Sequence, residues 1–506
     1  MNANLYALFR SRFPHDLDDC WIETADAHYY SWRDLERGSA KIANLLANLN
    51  LPAGSRIAAH VEKSPEALML YLATVRAGFV YLPLNTAYRA AEMSYFIDDA
   101  APAVLVCAPD NFGWISQIAF KSGTGHVFTL DEPRNGRNSG SLLVRAAHLS
   151  DEFNTVHRDT DDIAAILYTS GTTGRSKGAM LSHGNLAANI KVLHEAWHWQ
   201  AGDVLLHALP LFHIHGLFVA AHGALMNGSK MIFLSKFEST AVLHQLPRCT
   251  IFMGVPTYYA RLLSDANFDR STCEKIRLFV SGSAPLLTET FEDFKQRTGR
   301  TILERYGMSE TGMLTSNPYE GERKAGTVGP ALPGVSVRVV TAQDTHCAVD
   351  EIGDIQVKGP NVFQGYWQMP EKTAEEFTSD GYFKTGDVGR MDSEAYISIV
   401  GRSKDLIISG GYNVYPKEIE SVIDELPGVL ESAVIGIAHP DFGEAVTAVI
   451  VPRDGSSIAE ANIIATIKEK IANFKVPKRV YVVEELPRNT MGKVQKNLLR
   501  EKFSSS

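Results

Sequence analysis

Short apolar runs alternate with longer amphipathic stretches from about residue 27 to residue 340. Runs such as IAAILYT (163–169) and MIFL (231–234) have the length and β-branched content of buried strands. The segment NLAANIKVLHEAW (185–197) instead spaces its large apolar residues three or four apart, which is the period of a helix. This alternation predicts an α/β architecture in which helices cover mixed or parallel sheets.

The pattern changes between residues 323 and 400. Glycine and proline separate short apolar runs there, as in GPALPGV (329–335) and GDIQVKGPNVF (353–363). Closely spaced turn residues of this kind are typical of antiparallel strands joined by tight connections. We therefore expect a small, mostly antiparallel β subdomain in this region.

The residues after GRSKD (401–405) form a third pattern. Pro416 stands where a helix is expected to begin, and Ser457 and Glu460 have the spacing of a capping box before another helix. Strands are predicted at 430–437, 445–451 and 479–484. The chain is therefore expected to comprise a large N-terminal α/β domain, residues 1–403, and a smaller α+β C-terminal domain, residues 404–506.

Composition limits the classes of function. The 506 residues are 45% hydrophobic and 21% charged, as in ordinary globular proteins, and the formal charge of −9 argues against a nucleic-acid partner. The five cysteines have neither zinc-site spacing nor the density of a disulfide framework. No apolar run reaches the roughly 18 residues of a membrane span, so we expect a cytoplasmic protein without a membrane partner.

The segment YTSGTTGRSKG (168–178) is the strongest local signal. It follows a predicted buried strand and contains three glycines and Lys177. It also contains the hydroxyls of Thr169, Ser170, Thr172 and Thr173. Glycines allow backbone N–H groups to approach an anion, while hydroxyls and a lysine bind phosphate oxygens. Ser176 stands where a Walker A loop needs glycine. On composition alone, a polyphosphate loop and a flexible surface turn both remain open.

Four further segments identify a family. YGMSET (306–311), TGD (385–387), GRSKD (401–405) and PRNTMGK (487–493) follow the phosphate loop in the order and approximate spacing of the ANL family of adenylate-forming enzymes. The chain resembles this family over nearly its whole length. The family includes acyl-CoA synthetases, luciferases and the adenylation domains of peptide synthetases. The resemblance implies ATP as a substrate and a C-terminal domain that is mobile.

The resemblance also implies roles for individual residues. Lys493 acts in adenylation, Lys404 is the hinge of the C-terminal domain, and Glu310 holds Mg²⁺, which commonly takes one or two carboxylates together with phosphate oxygens. The segment with Gly410, Gly411 and Tyr412 serves the CoA half-reaction. The residues implied in ATP binding are Thr169, Ser170, Gly171, Thr172, Thr173, Gly174, Lys177, Tyr306, Gly307, Met308, Ser309, Asp387, Arg402 and Lys493.

Two arginines in the segments that align with the acyl pocket point to a particular acid. Arg261 and Arg305 are costly to bury unless they bind anions, and guanidinium groups pair well with carboxylates. The whole pattern, including ERYGM (304–308), ALPLFHIHGL (208–217) and TGRSKGAMLSH (173–183), resembles malonyl-CoA synthetases. Arg261, Ser283 and Arg305 are then the contacts of the distal carboxylate, and His213 orients the reacting carboxylate. The alternatives are a surface charge for Arg261 and an ion pair with Glu304 for Arg305.

The expected function is therefore the conversion of malonate, ATP and CoA into malonyl-CoA, AMP and diphosphate, with slower use of methylmalonate. His213, Lys177 and Lys493 are the expected catalytic residues. His213 and His215 form an HxH pair, but no third metal ligand stands at a suitable spacing. Other readings are a ligase for another short acid, an enzyme that loads a carrier protein, and a nucleotide sensor without turnover.

Overall fold

The computed structural model describes residues 2–131, 140–169, 176–409, 412–439, 443–456, 459–489 and 492–504. It confirms the predicted fold class: a large α/β region with a small antiparallel sheet is followed by a smaller α+β region. The strands are β1 (Cys20–Thr24), β2 (Tyr29–Ser31), β3 (Arg56–His60), β4 (Val80–Pro83), β5 (Val104–Cys107), β6 (His126–Thr129), β7 (Ile163–Thr169), β8 (Lys177–Ser182), β9 (Val204–His207), β10 (Lys230–Phe233), β11 (Ile251–Gly254), β12 (Leu278–Ser281), β13 (Ile302–Met308), β14 (Gly312–Ser316), β15 (Ser336–Val340), β16 (Gly353–Lys358), β17 (Phe383–Met391), β18 (Ile397–Arg402), β19 (Ile407–Ser409), β20 (Tyr412–Val414), β21 (Val429–His439), β22 (Gly443–Pro452) and β23 (Arg479–Val482).

The helices cover the faces of these sheets. They are α1 (Leu5–Arg10), α2 (Trp32–Ala47), α3 (Pro65–Arg76), α4 (Ala90–Ala100), α5 (Phe112–Lys121), α6 (Gly140–Ala146), α7 (His183–Ala196), α8 (His222–Asn227), α9 (Ser239–Gln245), α10 (Pro256–Leu263), α11 (Thr288–Thr298), α12 (Pro370–Glu376), α13 (Pro416–Asp424), α14 (Glu460–Lys470) and α15 (Lys496–Phe503). A π-helical segment, His215–Ala221, leads directly into α8.

Two large sheets form the N-terminal region. One has the strand order β6-β5-β3-β4-β7-β8, and the other has the order β14-β13-β12-β11-β9-β10-β1-β2. Every residue of α3 is buried, because this apolar helix lies within the main hydrophobic core rather than on the surface. The core therefore holds the two sheets as a common support for the loops at their edges.

The strand pairings explain where polar residues gather. Strands β7 and β8 are antiparallel, with Thr169 opposite Lys177, so the ends of the phosphate loop are adjacent. Strands β11, β12 and β13 are parallel, and their carboxyl ends therefore meet at one edge of the second sheet. β14 then returns antiparallel to β13.

Residues 403–405, where the sequence predicts the domain boundary, form a 3₁₀ turn. The turn joins β18 of the antiparallel sheet β15-β16-β17-β18 to β19, which belongs to the last sheet. In that sheet β19, β20, β21 and β22 are antiparallel neighbours, and β23 pairs parallel with β22. Helix α13 begins at Pro416, as predicted.

The predicted capping box before α14 is wrong. The N-cap residue is Ala459, and Ser457 lies outside the described residues. The carboxylate of Glu460 accepts a hydrogen bond from the backbone N–H of Val480, on β23, at 2.9 Å. In a capping box this carboxylate would instead accept from the backbone N–H of the N-cap residue. Among the described residues, no helix is long and apolar enough to cross a membrane.

Candidate active site

The residues that flank the phosphate loop contact the predicted metal ligand. The hydroxyl of Thr169 donates to Oε1 of Glu310 at 3.3 Å, and the hydroxyl of Tyr366 donates to the same oxygen at 3.1 Å. Glu310 is buried, and this burial raises the pKa of its carboxyl, while the charges of Arg402 and Lys177 oppose the shift. Glu310 is thus a buried carboxylate near two cations, which suits a metal ion whose other ligands are phosphate oxygens.

Lys177 is buried at the start of β8. Its Nζ lies 3.4 Å from Oε1 of Glu376 and 4.1 Å from the centre of the Tyr366 ring. A buried ammonium group needs such partners, and together they hold the lysine at the start of β8. Sequence reasoning missed Tyr366 and Glu376, because each lies almost 200 residues after the loop and carries no local motif.

Asp387, on β17, bonds to side chains from β18 and from β13. Nε of Arg402 donates to Oδ1 of Asp387 at 2.7 Å, and the hydroxyl of Tyr306 donates to Oδ2. Arg402 also donates to the backbone oxygen of Thr385 at 3.1 Å. A carboxylate has about four acceptor positions, so Asp387 retains room for further donors such as sugar hydroxyls. The structure therefore groups three of the predicted nucleotide residues.

The hairpin of β13 and β14 carries Gly307, Met308 and Ser309. A Cβ at position 307 would come 2.2 Å from the backbone oxygen of Gly312, so the hairpin can close only with glycine there. The pairing shifts register between Tyr306 and Gly307. Such a bulge redirects the strand end toward the neighbouring loops.

Lys493 approaches this group from the C-terminal region. It is exposed, but partial desolvation and the charge of Arg402 lower its pKa, with Asp387 acting in the opposite direction. The preceding Gly492 has a φ of +74°, and a Cβ there would lie 3.3 Å from Oγ1 of Thr257 on α10. The lysine-bearing turn thus lies against α10, and the charges of Arg402 and Asp387 act on Lys493.

Arg305 is buried on β13, and its guanidinium group lies over Gly282. A Cβ at Gly282 would come 2.4 Å from Cζ of Arg305. Nε and Nη2 of Arg305 find no hydrogen-bond partner within the described ranges. Burial lowers the pKa of Arg305 to about 9, so the group is still charged at neutral pH. Buried, charged and unpartnered donors of this kind indicate a site for an anion.

Glu304 does not neutralise Arg305. Successive residues of a strand point to opposite faces, and Glu304 instead accepts a hydrogen bond from the backbone N–H of Leu286 at 3.1 Å. Burial raises the pKa of Glu304 to about 8, so its carboxyl is mostly protonated at neutral pH. The charge of Arg305 lowers the pKa of Glu304 only in part against this burial, and no ion pair joins the two side chains in the described part of the chain. The alternative in which Glu304 satisfies Arg305 is therefore wrong.

Histidines line the other side of this region. His213 shares a small cavity with Ser309, Asn85 and Tyr88, and burial lowers its pKa to about 4. It is thus a neutral hydrogen-bonding group rather than a cation at neutral pH. His215 is fully buried, and its Nδ1 lies 3.3 Å from Oγ of Ser283.

Arg261 occupies the last turn of α10 and is exposed. Burial raises the pKa of the neighbouring Tyr258 to about 12, and the charge of Arg261 opposes this rise. Tyr258 lines a cavity of about 240 Å³ together with Phe212 and Lys63. The structure therefore places Arg261 near a cavity wall but not inside the buried group around Arg305, and its substrate role stays a prediction.

Some predicted site residues lie outside the described residues. They are Ser170, Gly171, Thr172, Thr173 and Gly174 of the phosphate loop, and Gly410 and Gly411. Tyr412 begins β20, and Lys404 is exposed in the turn between β18 and β19.

Comparison with known proteins identifies the family. Residues 15–367 match the model described as AMP-binding enzyme, and residues 418–493 match the AMP-binding enzyme C-terminal domain. A malonate–CoA ligase of Arabidopsis thaliana is 35% identical over 100% of this chain and 90% of that protein.

Two solved structures are also similar over the full length. ATP-bound MatB from Rhodopseudomonas palustris is 53% identical, with 100% of this chain and 99% of that chain covered and a TM-score of 0.96. Apo MatB from the same organism has the same identity and coverage but a TM-score of 0.85. Since the first family model alone spans well over half of the residues, the chain belongs to the AMP-binding enzyme family, whose members form adenylates.

Proposed function

We propose that this enzyme is a malonyl-CoA synthetase that converts malonate, ATP and CoA into malonyl-CoA, AMP and diphosphate. The malonate–CoA ligase of Arabidopsis thaliana supports this substrate, since the likeness extends over the whole chain. The observation that carries the proposal is Arg305, whose charged guanidinium group is buried and has two nitrogens without a hydrogen-bond partner among the described residues. A dicarboxylate supplies one carboxylate to this arginine and leaves the other free to react.

The reaction has two half-reactions. In the first, a carboxylate oxygen of malonate attacks the α-phosphorus of ATP, the bond from that phosphorus to the bridging oxygen breaks, and diphosphate leaves with malonyl-AMP still bound. In the second, the CoA sulfur attacks the acyl carbon, loses its proton, and expels AMP. No enzyme nucleophile is required, because the substrate carboxylate is itself the nucleophile. The protein's task is to position the reactants and to stabilise negative charge.

The first half-reaction uses the cations grouped around the nucleotide residues. Lys493 offsets the charge that develops near the α-phosphate, and Lys177 acts on the phosphates beyond it. His213, neutral at the pH of the reaction, orients the reacting carboxylate. Asp387 accepts the ribose hydroxyls, Tyr306 contacts the adenine, and Arg402 contacts the adenylate. Glu310, with Thr169 beside it, is the residue that would hold Mg²⁺, which supplies charge neutralisation on the phosphates.

The second half-reaction requires a rearranged C-terminal domain. We place the domain boundary between residues 403 and 404, in the turn that leaves the antiparallel sheet. Rotation about Lys404 withdraws Lys493 and brings the segment with Gly410, Gly411 and Tyr412 to the thiol. A hinge needs only to absorb a change in backbone dihedrals, and Lys404 is exposed, so its side chain is free to move.

A panel of acids tests the proposal. Malonate, methylmalonate, succinate, acetate and propionate are each supplied with ATP, Mg²⁺ and CoA, and the release of diphosphate and AMP is followed separately. Malonate is expected to give the highest kcat/KM, with methylmalonate slower because one methyl group changes binding by only about 1 to 3 kcal/mol. Equal turnover of acetate and malonate would refute the choice of substrate. Diphosphate release without any CoA-dependent AMP release would refute the second half-reaction.

A further inference from the structure

His215 stands among the buried groups of the carboxylate site but has no role in the mechanism above. Its Nδ1 lies 3.3 Å from Oγ of Ser283, and its Nε2 has no hydrogen-bond partner among the described residues. Ser283 follows Gly282, the residue covered by the Arg305 guanidinium group. The imidazole, the hydroxyl and the guanidinium group therefore surround one short backbone segment at the end of β12.

Ser283 is held in an unusual backbone conformation. Its φ is +72°, in the left-handed region that residues other than glycine seldom adopt. Such strain persists only where surrounding contacts determine the conformation, and it is frequent at binding sites. The strained turn fixes the direction of the Ser283 hydroxyl, and its contact with His215 is part of what holds it.

The position of His215 is itself fixed by a chain of buried contacts. Nζ of Lys63 donates to Nδ1 of His207 at 2.8 Å, so the proton of that ring is on Nε2, which donates to the backbone oxygen of Gly216 at 2.8 Å. A Cβ at Gly216 would come 1.9 Å from the backbone oxygen of Pro210. The start of the π-helical segment that carries His215 is thus held closely from two sides.

The donors and acceptors available at this site favour one direction for the hydrogen bond between His215 and Ser283. A carboxylate only accepts hydrogen bonds, and serine has a single proton to donate. If that proton went to His215, Ser283 would present only lone pairs to a carboxylate. Burial and the charge of Arg305 lower the pKa of His215, so its ring is neutral and carries one proton. With that proton on Nδ1, the ring donates to Ser283 and leaves the serine proton for the substrate.

We propose that His215 is the positioning residue of the distal carboxylate site: its Nδ1–H donates to Ser283, which orients the Ser283 hydroxyl toward the carboxylate bound by Arg305. His215 thereby contributes to the preference for a dicarboxylic over a monocarboxylic acid. This role rests on the proposed function and adds a residue to it.

Three substitutions at His215 test the proposal with purified full-length enzyme, ATP, Mg²⁺ and CoA. The side-chain nitrogen of asparagine replaces Nδ1 of histidine, whereas that of glutamine replaces Nε2. His215→Asn is therefore expected to keep most of the malonate activity. His215→Gln and His215→Leu are expected to lower kcat/KM for malonate about 10-fold or more, mainly through KM, as for the loss of one hydrogen bond to a charged group. Turnover of propionate is expected to change little.

A double-mutant cycle with Ser283 separates positioning from general damage. In a Ser283→Ala background, His215→Leu is expected to have no further effect on malonate, because the hydroxyl that it orients is already absent. His222→Leu is the matched control, since His222 is equally buried and bonds to the hydroxyl of Tyr71 at 2.8 Å in the same stretch of chain. It is expected to leave the ratio of malonate to propionate kcat/KM unchanged.

The outcomes are distinguishable. If the unmodified enzyme does not use malonate, the proposed function fails before His215 is tested. If it uses malonate but His215→Gln and His215→Asn give the same malonate to propionate ratio as the unmodified enzyme, the role of His215 is refuted. The same conclusion follows if the effects of His215→Leu and Ser283→Ala are additive.

Discussion

Arg305 and Gly282 are in direct contact across the edge of the second sheet, and a Cβ at Gly282 would come 2.4 Å from Cζ of Arg305. Gly282→Ala must therefore displace the guanidinium group, since the three atoms nearest to the added Cβ all belong to the Arg305 side chain. We expect kcat/KM for malonate to fall by about 10-fold or more, as for a weakened bond to a charged group. Steady-state kinetics with malonate and propionate measure this change. An unchanged ratio between the two acids would show that the contact does not set the selectivity.

Arg305→Met is expected to reduce malonate use more strongly than any other single change in the acyl site. Loss of a charge-assisted hydrogen bond costs about 1.5 to 3 kcal/mol, which corresponds to roughly 10- to 150-fold in kcat/KM. Because the substitution also removes a buried cation with two nitrogens that have no hydrogen-bond partner in the described part of the chain, the melting temperature is expected to stay the same or to rise. Arg261→Met is the comparison, and an equal loss there would assign the distal carboxylate to both arginines.

Lys493→Ala is expected to abolish formation of malonyl-AMP but to spare formation of malonyl-CoA from supplied malonyl-AMP. The reason is that the charge of Lys493 is used where the α-phosphate is attacked and is not needed at the thiol. The two half-reactions are measured separately, by diphosphate release and by AMP release. Lys470→Ala, at an exposed lysine of α14, is the control. Equal loss in both half-reactions contradicts this division.

Glu304→Gln is expected to change how stability depends on pH. The pKa of Glu304 rises from 4.5 to about 8 on folding, so between these values the folded chain keeps a proton that the unfolded chain has lost. Stability therefore falls as pH rises through this window, because ionisation of the buried carboxyl is unfavourable. Glutamine cannot ionise, yet its oxygen still accepts from the N–H of Leu286.

Thermal unfolding at pH 5.5 and pH 8.5 measures this effect. The variant is expected to gain stability relative to the unmodified protein at the higher pH, by a few kcal/mol at most. Glu292→Gln, at an exposed glutamate of α11, provides the control and is expected to show no such difference. A pH dependence shared by all three proteins would mean that Glu304 ionises normally.

Local patterns predicted the elements well where periodicity and backbone chemistry decide the structure. Strand β7 has the bounds of the predicted apolar run, and α13 begins at Pro416. The capping box at Ser457 failed because Glu460 bonds to a strand that lies about twenty residues further along, and no local spacing reports such a contact. A local spacing therefore cannot predict a helix cap when a distant part of the chain bonds to the same side chain.

The site could be predicted only where its residues stand in motifs. Glu310, Asp387 and Arg402 come from recognisable segments, and the structure brings them together. Tyr366 has no motif of its own, and although His215 stands in an HxH pair, its contact with Ser283 depends on how distant segments pack. The same holds for Arg305, because the sequence shows only that it is charged. The fold shows that it is buried and that its Nε and Nη2 have no hydrogen-bond partner among the described residues.

Strand β13 places Arg305 and Tyr306 next to each other, and the alternation of side chains directs them to opposite faces. In the proposed function, the residue that selects the acid and the residue that contacts the nucleotide are thus neighbours in the sequence. A homologue can carry another residue in place of the arginine and accept a different acid, while it retains the residues that activate the acid. Divergence among relatives of this enzyme is therefore expected to proceed by point changes at this strand rather than by wholesale replacement of domains.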